Sequence, residues 1–161
     1  MERKLFTVRQ DDLTDPQTLE LLALHLTGMH ANSPVGTVFA LDLSGLRQPE
    51  VSFWSAWSGS RIASIAALKQ LPGAQGEVKS MRTHPDFIRK GAANAILDHV
   101  ILTARARRLQ RLSLETGSGS AFEPAHALYR NKGFLPGEAF ADYQDNGFSQ
   151  FFHLELSPTT R

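Results

Sequence analysis

Between Glu77 and Ala93 the chain concentrates residues whose types and spacing can do chemistry. Glu77 to Thr83 is a β-capable run that stops at His84-Pro85-Asp86, and Ile88-Arg89-Lys90-Gly91-Ala92-Ala93 then opens a helical stretch. The first four N–H groups of a helix have no intrahelical partner and together present roughly half a positive charge. Arg89 and Lys90 oppose that dipole, which costs about 0.3–1 kcal/mol each, so an anion is expected to compensate. Gly91, Ala92 and Ala93 leave the main chain uncovered, so a phosphate can approach its N–H groups closely. The same small residues would also serve tight helix–sheet packing with both cations merely solvated, and spacing alone leaves the two readings open. Other phosphate motifs fit poorly. Gly117-x-Gly119 starts like a dinucleotide fingerprint, but its third glycine position is Phe122, and G-x-x-x-x-G-K-[ST] is absent.

Elements with strand and helix periods must position this segment. Leu5 to Arg9 reads as a first strand. From an Asp15 cap and Pro16, the apolar positions Leu19, Leu22, Ala23 and Leu26 predict a helix to about Met29. Thr37 to Leu41 fits either a strand or the approach to a short second helix. Val51–Trp57 and Ile62–Leu68 form a hairpin around Ser58-Gly59-Ser60-Arg61. The stripe Ala93, Ile96, Leu97, Val100, Ile101 and Ala104 predicts a long helix over 91–107. Leu112–Thr116 alternates as a strand, Pro124 opens a helix ended near Lys132 by Gly133, and Phe148–Leu156 is a last strand after Asp145-Asn146-Gly147. This order predicts an α/β fold of α+β type, with one mixed, mostly antiparallel sheet of about six to seven strands flanked by helices.

Composition bounds the answer. The 161 residues amount to one domain, expected over 1–161, and 42% apolar with 20% charged residues suffices for one core. Lys and Arg number 17 against 16 Asp and Glu, a formal charge of +1, which supplies no field for a nucleic acid or an anionic membrane. No cysteine is present, which excludes disulfides, thiolate metal sites and an acyl-cysteine intermediate. Met1 to Leu5 is followed by Gln10-Asp11-Asp12 instead of an apolar signal core, and the uncharged stretch Leu21–Leu41 contains His25, His30, Asn32 and Pro34. A cytoplasmic protein is expected. The six histidines show no metal spacing, so no metal is expected. Arg105 to Arg111 holds four arginines in seven residues, at a helix end that already favours cations.

Two motifs in order resemble the GCN5-related N-acetyltransferases, the GNAT family. The family's Arg or Gln, then x-x-Gly-x-Gly or Ala, falls on Ile88-Arg89-Lys90-Gly91-Ala92-Ala93, with Ile88 replacing the polar first residue. Its A-x-x-L-Y-x-x-x-G-F matches Ala125-His126-Ala127-Leu128-Tyr129-Arg130-Asn131-Lys132-Gly133-Phe134. The resemblance covers Val51 to Leu156 closely and Leu5 to Leu46 in outline. It implies a GNAT-like acyl-CoA N-acyltransferase fold and transfer of the acetyl group of acetyl-CoA to a primary amine of a small molecule or peptide, by direct attack in a ternary complex. A catalytically silent acyl-CoA sensor is the alternative. The resemblance places the pyrophosphate on the main chain of Ile88, Arg89, Lys90, Gly91, Ala92 and Ala93, and the pantetheine arm along Met81, Arg82 and Thr83, where the family splays two strands.

A free alkyl amine has a pKa of about 10.4 and attacks only when neutral, so a base is needed. Glu77, eleven residues before Ile88 and at the offset of the histone-acetylating branch, is the implied base, against a solvated strand-start glutamate; Glu115 is the reserve. A phenol of pKa about 10 suits protonation of the leaving thiolate, and Tyr129 takes that role by motif position, against a core aromatic. His30 beside Asn32 and Ser33 reads as a turn residue or an acceptor contact. Phe53, Trp54 and Trp57 read mostly as strand core, with one of them able to line the acceptor pocket, and Phe140 and Tyr143 as further candidates to line it. Relatives that pair through their C-terminal strands leave a homodimer open.

Overall fold

The computed structural model describes residues 6–156. Seven strands, β1 (Thr7–Gln10), β2 (Val51–Ser58), β3 (Arg61–Leu71), β4 (Gln75–Thr83), β5 (Arg111–Thr116), β6 (Leu135–Gly137) and β7 (Gln150–Glu155), form one sheet in the order β1-β2-β3-β4-β5-β7-β6. The helices are α1 (Pro16–Ala31), α2 (Leu43–Leu46), α3 (Ala92–Ala106) and α4 (Glu123–Asn131). All strand neighbours are antiparallel except β4 and β5, whose parallel pairing requires the α3 crossover. The mixed, mostly antiparallel sheet agrees with the sequence reading.

Period-two alternation gives the sheet two apolar faces. On one, Trp54, Ala56, Ala66, Leu68, Val78, Leu112 and Leu114 receive Ile96, Leu97, Val100 and Ala104 of α3. On the other, Phe53, Trp57, Ile65 and Ala67 receive Leu21 and Leu22 of α1 and Leu46 of α2. Ile96 and Leu97 are fully buried, so truncating either to Ala costs about 2–5 kcal/mol. α1 starts where expected: the Asp15 carboxylate accepts from Gln17 N at 2.8 Å and Pro16 occupies the first turn. It stops at Asn32, whose main-chain N–H and Nδ2 both donate to the Gly28 carbonyl.

The structure departs from the sequence reading in particular places. Residues 37–42 form no strand and lead to α2, whose cap is Asp42, so the second reading of that segment holds. The first strand begins at Thr7, and Met1–Leu5, on which the export reading rested, lies outside the described residues. β6 was not anticipated. Leu135, Pro136 and Gly137 are all exposed, so no alternation betrays this edge strand. Asp145-Asn146-Gly147 ends the 138–149 loop between β6 and β7 without making a two-residue hairpin, because Asn146 Oδ1 accepts from Phe148 N and Ser149 N. The arginine cluster is absorbed by the fold: Arg107 donates to Ser52 Oγ at 3.0 Å and Arg111 pairs with Glu155 at 2.6 Å. Among the described residues no helix is long and apolar enough to cross a membrane.

Candidate active site

The cradle forms between β4 and α3. His84 caps a single 3-10 turn over Pro85–Phe87 by accepting from Asp86 N at 3.0 Å, and Phe87 packs with Ala63 and Ala92 beneath it. Arg89 and Gly91 then adopt left-handed φ of 63° and 92°. Those turns aim the main chain around a concavity, and α3 starts on Gly91 with no side-chain cap, so its leading N–H groups stay available. Ile88, Arg89, Lys90 and Gly91 are exposed, whereas Ala92 is buried under the turn. The turn therefore presents main-chain N–H groups flanked by two cations, and the missing polar residue at 88 removes none of those donors.

Strands β4 and β5 pair only at Gln75–Glu77 with Arg111–Ser113, then part. Residues 78–83 consequently have no β5 partner, and the gap fits an amide-bearing chain lying beside β4. Ser80 supplies a second sign of fit: it is 7% exposed and its Oγ has no partner. A β-bulge sits here. Ile65 faces Arg82 and Ala67 faces Lys79, so Ala66 opposes both Ser80 and Met81, with Ser80 at φ 59°. The extra residue shifts the alternation. Glu77, Lys79 and Arg82 share the α1 face, and Met81 packs toward the α3 core instead.

On that α1 face the ionisable groups converge. Glu77 is 3% exposed; its Oε2 accepts from Tyr143 Oη at 2.5 Å and from Lys79 Nζ at 3.1 Å, and Lys79 also donates to Tyr143 Oη at 2.8 Å. Tyr143 belongs to the 138–149 loop and is walled in by Phe39, Phe140 and Phe151, with ring centroids 5.1–5.8 Å away. Opposite, Ser149 Oγ donates to Glu115 Oε2 at 2.7 Å, held there by the Asn146 turn. Burial raises the Glu115 pKa, and the nearby Glu77 charge adds to the rise despite Ser149 and Lys79. Burial and the Glu77 carboxylate likewise push the Tyr143 phenol far up, so it is a donor at any working pH.

Tyr129 reaches this region from α4. It is 8% exposed, stacked near Phe134 and Phe152, and burial followed by the Glu115 charge pushes its pKa up to about 12 while Arg82 opposes the rise. Arg82 lies against α1, with Nε donating to His25 Nδ1 at 3.2 Å. Among the described residues no group of three His, Asp or Glu side chains converges as a metal site would.

The structure thus sets Glu115 within electrostatic reach of both Glu77 and Tyr129, while Met81, Arg82 and Thr83 carry β4 on toward Ile88–Ala93. His30 is exposed at the end of α1, and among the described residues its side chain has no hydrogen-bond partner. Phe53, Trp54 and Trp57 are core. Lys79, Ser149 and His25 were missed. Lys79 follows Glu77 by two residues, the strand period that puts both on one face, and that was the available signal.

The comparisons agree with this fold. Residues 16–134 match the model of the acetyltransferase (GNAT) family. The chain is 47% identical over 152 residues to the uncharacterized N-acetyltransferase YedL of Escherichia coli (strain K12), covering 94% of this chain and 96% of that one. Among solved structures, a protein of Klebsiella pneumoniae subsp. pneumoniae MGH 78578 assigned as an acyl-CoA N-acyltransferase superposes with a TM-score of 0.81 at 24% identity, over 96% of this chain and all of its own. A Bacillus subtilis acetyltransferase in complex with CoA superposes with a TM-score of 0.71 at 16% identity, over 95% and 100%. The two structural likenesses establish the fold, and the family model together with the near full-length relative establishes that this chain belongs to the acetyltransferase (GNAT) family and is an acetyl-CoA-dependent N-acetyltransferase.

Proposed function

We propose that the chain works as one domain over residues 1–161 and acetylates a primary amine of a small molecule or peptide by direct attack in a ternary complex. The observation that carries this reading is the parting of β4 and β5 beyond Glu77, with a main-chain anion cradle at one end and Glu77, Glu115 and Tyr129 at the mouth. Acetyl-CoA supplies an activated thioester. Ile88, Arg89, Lys90, Gly91, Ala92 and Ala93 hold its diphosphate, through main-chain N–H groups with charge-assisted help from Arg89 and Lys90. The β4 edge at Met81, Arg82 and Thr83, with Ser80 Oγ nearby, pairs with the pantetheine amides.

An arriving ammonium must lose two protons by the time the amide forms; one ends on the CoA sulfur and one in solvent. Glu77 and Glu115 act as the base pair. Glu77 is pinned by Lys79 and Tyr143, and its carboxylate oxygens present acceptors to an ammonium. Glu115, whose proton affinity burial raises, takes a proton from the ammonium and passes it to solvent after turnover. Tyr129, still a phenol at neutral pH, donates to the departing sulfur and is reprotonated by the second proton leaving the amine nitrogen. Phe39, Phe140 and Tyr143 form the acceptor wall. A homodimer would meet at the β6 edge, where Leu135 is 68% exposed, and sedimentation reads that directly.

The test is a thiol-release screen of acetyl-CoA against amine classes, with Glu77→Gln, Glu115→Gln and Tyr129→Phe beside the parent. On a true acceptor each variant should lose tenfold or more in kcat. Equal rates for all four proteins would remove these roles and leave the family assignment standing.

A further inference from the structure

Arg82 is the one half-enclosed cation near the reacting centre without an anion of its own. Lys79 pairs with Glu77 at 3.1 Å, and Lys132, on the far helix, with Asp98 at 2.8 Å. Among the described residues no carboxylate lies within 4.0 Å of the Arg82 guanidinium. Its contacts are with α1 alone: Nε donates to His25 Nδ1 at 3.2 Å and Nη2 to the His25 carbonyl at 3.4 Å. A Cβ on Gly28 would stand 2.9 Å from Nη2, so a glycine one turn beyond His25 makes the room for the guanidinium. His25 brings no charge. It is 5% exposed, and burial, with Arg82 adding to the effect, holds its pKa at about 3, so it is a neutral acceptor. Two of the five guanidinium N–H groups are thereby used and three are left for something else.

A charge drawn out of water without a partner is unfavourable, and a planar fork of N–H donors matches a carboxylate in two-point geometry. Arg82 shares the α1 face of β4 with Glu77 and Lys79, and its charge reaches the Tyr129 phenol, which also feels Glu115. The site therefore carries two carboxylates, Glu77 shared with Lys79 and Glu115 bonded by Ser149, and a guanidinium with no carboxylate of its own, the complement of a zwitterion. We propose that the acceptor is an amino carboxylate, a small amine whose carboxylate is held by Arg82 while its ammonium meets Glu77 and Glu115. This rests on the acetyl-transfer reading above and names the substrate class for the same opening.

The experiment compares free α-, β- and γ-amino acids with the corresponding primary amides as acceptors in the thiol-release assay, using the parent, Arg82→Gln and Arg82→Lys, with CoA affinity measured by calorimetry on each. The expected result is at least a tenfold kcat/KM advantage of one or more acids over their amides, carried by KM. Arg82→Gln should raise KM for that acid tenfold or more and erase its advantage over the amide; Arg82→Lys, keeping charge without the fork, should fall between. Amides accepted as well as acids, or thiol release confined to amines lacking a carboxylate, would overturn the inference alone. So would an Arg82→Gln variant that binds CoA tenfold more weakly, placing the anion on the cofactor, or one that lowers kcat equally for acids and amides. Absence of thiol release with every amine would take down the acetyl-transfer roles as well.

Discussion

The cradle and the acceptor face are built on opposite principles. The cradle lies within residues 84–93, its donors are main-chain N–H groups, and its shape comes from a capped turn and two left-handed residues. The acceptor face is made of side chains far apart in the chain: 66 positions separate Glu77 from Tyr143, 57 separate His25 from Arg82, and 34 separate Glu115 from Ser149. Main-chain recognition would tolerate an altered side chain such as Ile88, whereas side-chain recognition would fail with one substitution. Changes to the cradle should therefore alter cofactor affinity by small factors, and changes to the acceptor face should alter rate, pH response or stability by large ones.

The largest effect should come from Glu115→Gln. General-base catalysis contributes about 10²–10⁴-fold, so a loss of kcat of about 10²–10³-fold is expected, with CoA affinity unchanged. The pH profile makes the assignment specific. Glu115 accepts a proton only as a carboxylate, and its pKa is raised, so activity should fall with decreasing pH at values above the ordinary glutamate range, a limb that Glu115→Gln removes. Glu77→Gln should differ in kind. It leaves the enclosed Lys79 without its carboxylate, and breaking such a pair costs about 3–5 kcal/mol, so its melting temperature should drop with its rate. If Glu77→Gln were as stable as the parent, Glu77 would not be the anchor of this cluster.

The same contrast decides what could be read from the sequence. The cradle, the long helix and the alternating strands were legible because each follows from a period or a turn within a few neighbouring residues. Lys79 and Arg82 were not assigned to the α1 face because an uninterrupted β4 would have placed Met81 beside Glu77 and Lys79; the bulge at Ser80, which no turn residue announces, exchanges Met81 for Arg82. Tyr143 was recognisable as an aromatic near the pocket, but its bond to Glu77 depends on the path of the 138–149 loop. Asn146-Gly147 looked like a hairpin tip, and its use in holding Ser149 against Glu115 exists only after β7 has paired with β5.

A second measurement sharpens the acceptor side through stability. His25 titrates at about 3 in the folded protein and near 6.5 when unfolded, so the unfolded chain binds more protons below pH 6.5. The stability associated with neutral His25 is complete above pH 6.5 and is lost as pH falls from there toward 3. At pH 5 the loss amounts to about 2 kcal/mol, since each pH unit in that window is worth about 1.4 kcal/mol. Urea unfolding at pH 7 and pH 5 should show it, and His25→Asn, which keeps an acceptor for Arg82 Nε but no titrating group, should remove that part of the difference. An unchanged pH response in His25→Asn would mean that the ring is not held neutral by burial. On the cradle side, Gly91→Val places a branched side chain at φ 92°, a conformation costing L-residues about 1–2 kcal/mol. Calorimetry should find CoA bound about tenfold more weakly, with kcat at saturating acetyl-CoA nearly intact.

The smallest effect tests the tolerance claimed for the cradle. Ile88 replaces the family's Arg or Gln, yet it is 53% exposed and its side chain caps nothing, so restoring Arg there adds one solvent-screened cation to a site whose donors are already main chain. Exposed charge pairs are worth about 0.2–1 kcal/mol, which limits Ile88→Arg to a gain of about one- to fivefold in CoA affinity. Because the gain is Coulombic and exposed, it should shrink as ionic strength rises from 0.01 M, where charges act over about 30 Å, to 1 M, where they act over about 3 Å. A hundredfold gain that survived high salt would show that a side chain at 88 makes a direct, enclosed bond to the diphosphate. The distinction between a main-chain cradle and a side-chain acceptor face would then fail at its first position.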